Sequence, residues 1–485
     1  MYRQFAEPAE AVTGEIGSYV SRRLHVDVGW LWVGYLARSL SYLALTAVLA
    51  RSLGPSGYGE LSLFLALTLG VSQVAGSWPF LAVPVLGAES KSVAAAFRPA
   101  AIVASLATLA ALVVALPLAV LIMSDSPASL LALVLYSVAL VGLQGAYGVL
   151  QTEGRMKGIA SLQTMERLTG LVVLLIAGAV ATLTVRTSEG LLAFAAAATC
   201  VAAFLFMTPE ALCGRTDDSP DHLVSTVMKA VGAMGIVSIC AYGVAWADIY
   251  VLNAFRSHED VGIYSLAYQV FTFVVQLGSM WAVAALPRHA RSEVAGEDLL
   301  SQLPMDRTLT VTRLWSAVVP ALAVVAIFAL PKVFGEDFEQ AAVPMTILLA
   351  GAIYLAGYFA VLPTFVAGRR TRLLAKVSIA SVAINIGLDL ALVPALGFNG
   401  PAIATAAQTV FGAAALLWFA LGSSRAMAVM LAGTPAAIAL ALLAASPHNV
   451  ALIVLTIAIA AISFAWGASG LRGLGVFAEP AGSEP

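Results

Sequence analysis

Apolar runs about twenty residues long recur from one end of the chain to the other, and nothing else constrains its fold as tightly. Such a run crosses the ~30 Å hydrocarbon core of a bilayer as a helix, the conformation that satisfies every backbone N–H and C=O within one segment. Fourteen runs are read, at 29–50, 60–86, 99–123, 128–150, 160–184, 190–212, 229–254, 261–286, 312–331, 341–366, 373–395, 400–421, 427–446 and 449–468. Only "GFNG" separates the eleventh from the twelfth and only "SPHN" the last two, tight reversals rich in turn residues. Hydrophobic residues make up 60% of the 485 and charged ones 11%, whereas a soluble domain carries about 25% charged. The expected fold class is an all-α polytopic membrane protein with about 14 transmembrane helices.

The connections set the orientation. With the N-terminus inside, 19 of the 25 Lys and Arg residues fall on the cytosolic side. Four fall opposite (Arg51, Arg186, Arg256 and Lys332), and two, Arg38 and Arg167, lie within spans. That asymmetry predicts both termini in the cytosol. Residues 1–28 carry acidic side chains and no early apolar core, so they read as a cytosolic or interfacial segment rather than a signal peptide. No loop is long enough for a separate catalytic domain, and no Walker motif is present. Cys200, Cys213 and Cys240 form no metal-ligand pattern. Neither catalytic residues nor a bound cofactor is expected, and no nucleic-acid partner.

The chain repeats itself. "GYGELSLFLAL" after the first span aligns with "DVGIYSLAYQV" after the seventh, matching Gly59 with Gly262, Ser62 with Ser265 and Leu63 with Leu266. "GLLAFAAAATCVAAFLF" from Gly190 pairs with "GPAIATAAQTVFGAAALL" from Gly400 at a similar offset. Two six-helix lobes follow, related by a parallel pseudo-two-fold axis along the membrane normal, with two helices appended. The expected divisions are an N-lobe at 29–212, a linker at 213–228, a C-lobe at 229–421, two further spans at 422–468 and a cytosolic tail at 469–485. Such a repeat, without loop domains, favours transport through a central cavity over catalysis.

Charges inside spans mark candidate function, because each costs about 2.5–3.5 kcal/mol at a helix centre on insertion scales. Helical spacing places Tyr35, Arg38, Tyr42 and Thr46 near one face of the first span. A guanidinium is a rigid, permanently charged fork suited to phosphate oxygens. Two uses of Arg38 are open: a cavity residue facing an anion, or a structural ion pair with Glu166 or Glu60. Glu166 and Arg167 are adjacent and therefore about 100° apart on their helix, so both cannot face one direction. In the second half, Asp248, Asn385 and Asp389 are candidates for H⁺ or Na⁺ coupling or for structural pairing. Gln73, Gln144, Gln163, Gln269, Gln276 and Gln408 would suit a sugar path or interhelical hydrogen bonds.

"LARSLGPSGYGELSLFLAL" (Leu49 to Leu67) resembles the junction of the first two spans in bacterial polysaccharide-export flippases, and "INIGLDLALVPALGFNGPAIATAAQTV" (Ile384 to Val410) a stretch near their end. "VLNAFRSHEDVGIYSLAYQV" and "PRHAR" fit the same pattern. The chain is thus similar to the Wzx-like branch of the multidrug/oligosaccharidyl-lipid/polysaccharide (MOP) exporter superfamily. Many Wzx proteins have twelve spans, and fourteen is shared with MurJ-type lipid II flippases. The resemblance implies alternating-access transfer of undecaprenyl-diphosphate-linked oligosaccharide to the outer leaflet of a bacterial cell membrane. It also implies that cations of the N-terminal half hold the anionic headgroup, which supports Arg38 by analogy, and the expected headgroup site is Arg38 with Tyr35, Tyr42 and Arg167. An H⁺ or Na⁺ gradient, or the membrane potential, would drive the cycle. Membrane lipids, a polysaccharide polymerase and glycosyltransferases are the expected partners. A MurJ-type lipid II flippase or a MATE-like cation-coupled drug antiporter is the alternative, and the antiporter would favour acidic cavity residues.

Overall fold

The computed structural model describes residues 7–90, 93–122, 126–153, 155–207, 223–294, 305–367 and 370–473. The part of the expected linker at 213–222 and of the expected tail at 474–485 lies outside them. The described chain is helical throughout: α1 (Glu7–Ser90), α2 (Val93–Ile122), α3 (Pro127–Thr152), α4 (Met156–Val180), α5 (Val185–Phe206), α6 (Leu223–Phe255), α7 (His258–Val294) and α8 (Met305–Phe334). A short 3₁₀ turn (Glu336–Ala341) leads to α9 (Ala342–Ala352), α10 (Leu355–Ala367), α11 (Thr371–Leu396), α12 (Asn399–Leu421), α13 (Ser423–Ala445) and α14 (Val450–Gly473).

Among the described residues twelve helices are long and apolar enough to cross a membrane, or thirteen if α9 and α10 form one bent span. The first, Val33–Pro84, holds 52 residues. A straight helix of that length would run about 78 Å, more than twice the ~30 Å bilayer core. It is broken at Gly54, with φ 65° and ψ 178°, a conformation that costs glycine little and other residues much. Pro55 follows, where its missing N–H and fixed φ suit a new helix start. Counting the two arms of α1 separately, and the bent pair once, gives the expected fourteen passes. The bend of 47° between α9 and α10 contains no proline, and the indole Nε1–H of Trp315 donates to the Ala352 carbonyl at 3.0 Å there. A backbone acceptor at the break is thereby satisfied where no water is at hand.

Helices α1–α5 pack on one another as an N-lobe, and α6–α12 as a C-lobe. The appended pair belongs with the second: α13 lies on α8 and α9, and α14 along α8. Gly467 and Gly470 let α14 sit close against Leu314 and Thr310, and the Arg313 guanidinium lies 4.2 Å from the Trp466 ring centre. The lobes meet where α1 crosses α6 and α7. At this crossing the repeat becomes physical. A Cβ at Gly59 would overlap the His258 carbonyl, and one at Gly262 would overlap the Pro55 carbonyl. Each would also stand 2.9–3.1 Å from the other glycine's amide nitrogen. The two glycines that align in sequence touch across the lobe boundary, and only residues without a side chain permit that approach.

Candidate substrate site in the central cavity

A cavity of about 510 Å³ lies between the lobes. Its wall begins at Leu69 of α1 and Tyr268 of α7, the latter about 9 Å along its helix from Gly262, and runs away from the glycine contact. The first arm of α1 supplies Arg38, Ser39 and Tyr42, its second arm Gln73, and α4 supplies Arg167. Across from them α7 brings Gln269, Thr272 and Gln276, while α11 and α12 bring Ser378, Ser381, Gln408 and Thr409.

Arg38 is partly exposed in this wall and makes no hydrogen bond or ion pair among the described residues. The pairing with Glu166 or Glu60 that the sequence left open is not formed. Glu166 instead meets its own neighbour, Arg167 Nη2, at 3.4 Å. Their Cα–Cβ bonds diverge as expected, but the arginine is long enough to curl back around the helix, so the expectation that the two would be directed apart fails at the side-chain tips. The Arg167 guanidinium also stacks on Tyr42, 4.6 Å from the ring centre, and its buried Nε has no partner. Arg38 thus stands as an uncompensated cation beside a second, partly neutralised one. A cavity built this way attracts an anion with several oxygen acceptors.

The structure sorts the remaining expectations. Tyr42 lines the cavity; Tyr35, one turn before Arg38, does not. The turn holding Tyr35 is pressed onto α4, where a Cβ on Gly34 would come 2.8 Å from the Ala160 Cα. Glu166 is buried outside the lining, and Thr46 is buried towards the glycine crossing. Of the six glutamines, Gln73, Gln269, Gln276 and Gln408 line the cavity; Gln144 packs at Gly76 and Gln163 is buried. Ser39 Oγ donates to Gln276 Oε1 at 2.9 Å, tying the lobes together beside Arg38.

Behind the C-lobe wall, Asp248, Asn385 and Asp389 come together, each fully buried. Thr405 Oγ1 donates to Asp248 Oδ2 at 2.5 Å, Tyr264 donates to the same oxygen, and Asn385 Nδ2 donates to Thr405 at 3.4 Å. The Asp389 carboxyl lies within hydrogen-bonding reach of Asp248. Asp248 Oδ1, Asn385 Oδ1 and both Asp389 oxygens have no donor among the described residues. Two carboxylates cannot share such a space without a proton or a cation between them. Since Thr405 also lines the cavity, the cluster touches the substrate space directly. Sequence reading missed Thr405 and Tyr264; the only trace was their place in the quoted motifs, which does not tell one small or aromatic residue from its neighbours.

The backbone aligns over nearly its whole length with two solved structures. One is described as lipid II flippase MurJ in an inward closed conformation, with a TM-score of 0.66 over 91% of this chain and 99% of that one, at 13% identity. The other is the eukaryotic MATE transporter AtDTX14, with a TM-score of 0.62 over 86% and 98%, at 14% identity. The fold is that of the MurJ and MATE transporters. At this identity the likeness fixes the MurJ/MATE architecture and not its cargo. By sequence, 174 residues are 24% identical to the probable low-salt glycan biosynthesis flippase Agl15 of Haloferax volcanii, a region covering 35% of this chain and 36% of that protein. The alignment therefore spans about a third of the curated relative. No protein-family model matches the chain.

Proposed function

We propose that the chain is a Wzx-like flippase of the MOP superfamily. It carries undecaprenyl-diphosphate-linked oligosaccharide from the cytosolic to the outer leaflet of the cytoplasmic membrane by alternating access, with both termini in the cytosol. The observation that carries the reading is the unpaired Arg38 in a central cavity between two repeat-related lobes. A diphosphate offers that guanidinium acceptors in the right geometry, and Tyr42 and Arg167 stand beside it. The partial likeness to Agl15, a probable glycan biosynthesis flippase, supports a glycan-bearing lipid as cargo. Rocking of the lobes would move the headgroup across while the polyprenyl chain stays in lipid, so no covalent step is needed. Membrane lipids surround the cycle, and a polymerase or glycosyltransferase would take or supply its substrate.

Ion coupling is assigned to Asp248, Asn385, Asp389 and Thr405. Their unpartnered oxygens suit a hard cation such as Na⁺, or a proton shared by the carboxyls. Ion occupancy would reach the cavity through Thr405, which belongs to both places. An antiporter of cationic drugs is the second reading. It is disfavoured because no Asp or Glu is among the described residues lining the cavity. The test is mass spectrometry of lipid-linked saccharides in cells lacking the protein. An undecaprenyl-diphosphate saccharide should accumulate, and wild type should relieve it while Arg38→Ala at equal abundance should not. An unchanged lipid pool with altered drug tolerance would favour the antiporter, and accumulation of lipid II would move the assignment to the MurJ branch.

A further inference from the structure

The two walls of the cavity differ in chemistry, and that difference names the part of the cargo each receives. Among the described residues both cavity charges, Arg38 and Arg167, come from the N-lobe, and no described Asp, Glu, Lys or Arg of α6–α12 lines it. The C-lobe wall is instead uncharged, with a few hydroxyl and amide groups set among apolar side chains such as Val244, Phe271 and Val377. Its hydroxyls are of two kinds: Thr409 donates to the Thr405 carbonyl four residues earlier at 2.7 Å, as most helical hydroxyls do, and two serines do not. Ser41, Ser62, Thr199 and Ser316 each donate to the carbonyl four residues earlier, the ordinary way a helical hydroxyl is satisfied. Ser378 and Ser381 on α11 make no such bond among the described residues. Gln408 on α12 accepts from Thr409 at 3.4 Å, and its Nε2 donates to no atom among them. Ser381 and Gln408 are 5% and 9% exposed, so what exposure they have is to the cavity.

These groups form one patch. A Cβ on Gly412 would lie 3.4 Å from Ser381 Oγ and 3.8 Å from Gln408 Nε2, and the absence of a side chain there leaves room beside both. Tyr358 lines the same cavity and offers an aromatic face with a polar tip. Unpaired hydroxyl and amide groups in a cavity that also holds an aromatic ring match a pyranose, whose edge carries hydroxyls and whose face carries C–H bonds. Among the described residues a carboxylate on the sugar would find no cation on this wall, and an ammonium no carboxylate, and either would lose hydration without replacement. We infer that Ser381, Gln408 and Gly412 form a subsite for an uncharged sugar ring, so that the first sugar of the cargo is neutral and lies against the C-lobe while the diphosphate lies against Arg38. This rests on the lipid-linked saccharide reading above.

The experiment titrates purified full-length protein with three synthetic polyprenyl diphosphates: one without sugar, one bearing an N-acetylhexosamine and one bearing a hexuronic acid. The neutral-sugar compound should bind about tenfold more tightly than the bare one, the scale of one or two net hydrogen bonds. The uronic compound should gain nothing. Gln408→Leu and Ser381→Ala should each reduce the neutral-sugar advantage while leaving the bare diphosphate unchanged, and Gly412→Ala, the mildest change, should do the same. Arg38→Ala should weaken all three. Equal binding of the three compounds by wild type overturns the subsite and leaves the flippase reading standing, as does a Gln408→Leu loss shared equally by the bare lipid. Failure of every compound to bind wild type overturns both.

Discussion

Arg38 and Asp389 stand for two kinds of charge that a bilayer tolerates. One faces a cavity with no partner among the described residues; the other is fully buried, with no donor to either carboxyl oxygen among them. The first predicts that Arg38→Lys keeps the charge but loses the fork, so export should fall well below wild type while exceeding that of Arg38→Ala. Lipid-linked saccharide accumulation measures it. The second predicts that Asp389→Asn, close in shape, leaves the protein folded but makes transport in proteoliposomes indifferent to the driving ion. If the ion is Na⁺, wild type responds to Na⁺ over K⁺ at fixed pH; if it is a proton, wild type responds to pH at fixed Na⁺; the variant responds to neither. Thr405→Val removes a hydrogen bond to the site rather than a carboxylate, and should lower apparent ion affinity by about tenfold or more. Arg38, Asp248, Asn385 and Asp389 were legible in sequence because a polar group in an apolar span stands out against its surroundings. Tyr264 and Thr405 were not, because their importance arises from contacts between helices α6, α7, α11 and α12 that no local pattern records.

At the level of helices, span length and charge asymmetry were enough to fix number and class, since the bilayer imposes both. The break between α9 and α10 was invisible because neither glycine nor proline sits at the junction itself, Ile353–Tyr354. The tilt that presses Tyr35 away from the cavity depends on the close fit of Gly34 to α4, a tertiary matter. The crossing of Gly59 with Gly262 gives an element-scale prediction. A valine at either position must drive the helices apart, because the atoms it would strike are backbone carbonyls and cannot rotate away. Thr46, 2% exposed and on the side of the cavity nearer this crossing, is the reporter. In a background with Cys200, Cys213 and Cys240 replaced by serine, Thr46→Cys should resist a membrane-impermeant maleimide. Adding Gly59→Val should make it reactive, and no gain in labelling would show that the crossing does not seal that end.

For the molecule as a whole, the native Cys240 lines the cavity and reports on its occupancy. A small maleimide should modify it in the free protein, and a saturating polyprenyl diphosphate should slow that reaction several-fold. Equal rates with and without the lipid would place the headgroup elsewhere. The reciprocity of the glycine crossing reaches further still. Gly59 lies against the backbone of the second repeat just as Gly262 lies against that of the first, the relation that two copies of one subunit have across a dyad. Each half is self-complementary at that patch, presenting the same close-approaching backbone that it receives. The chain meets itself there as one subunit meets its twin, through two residues with no side chains at all.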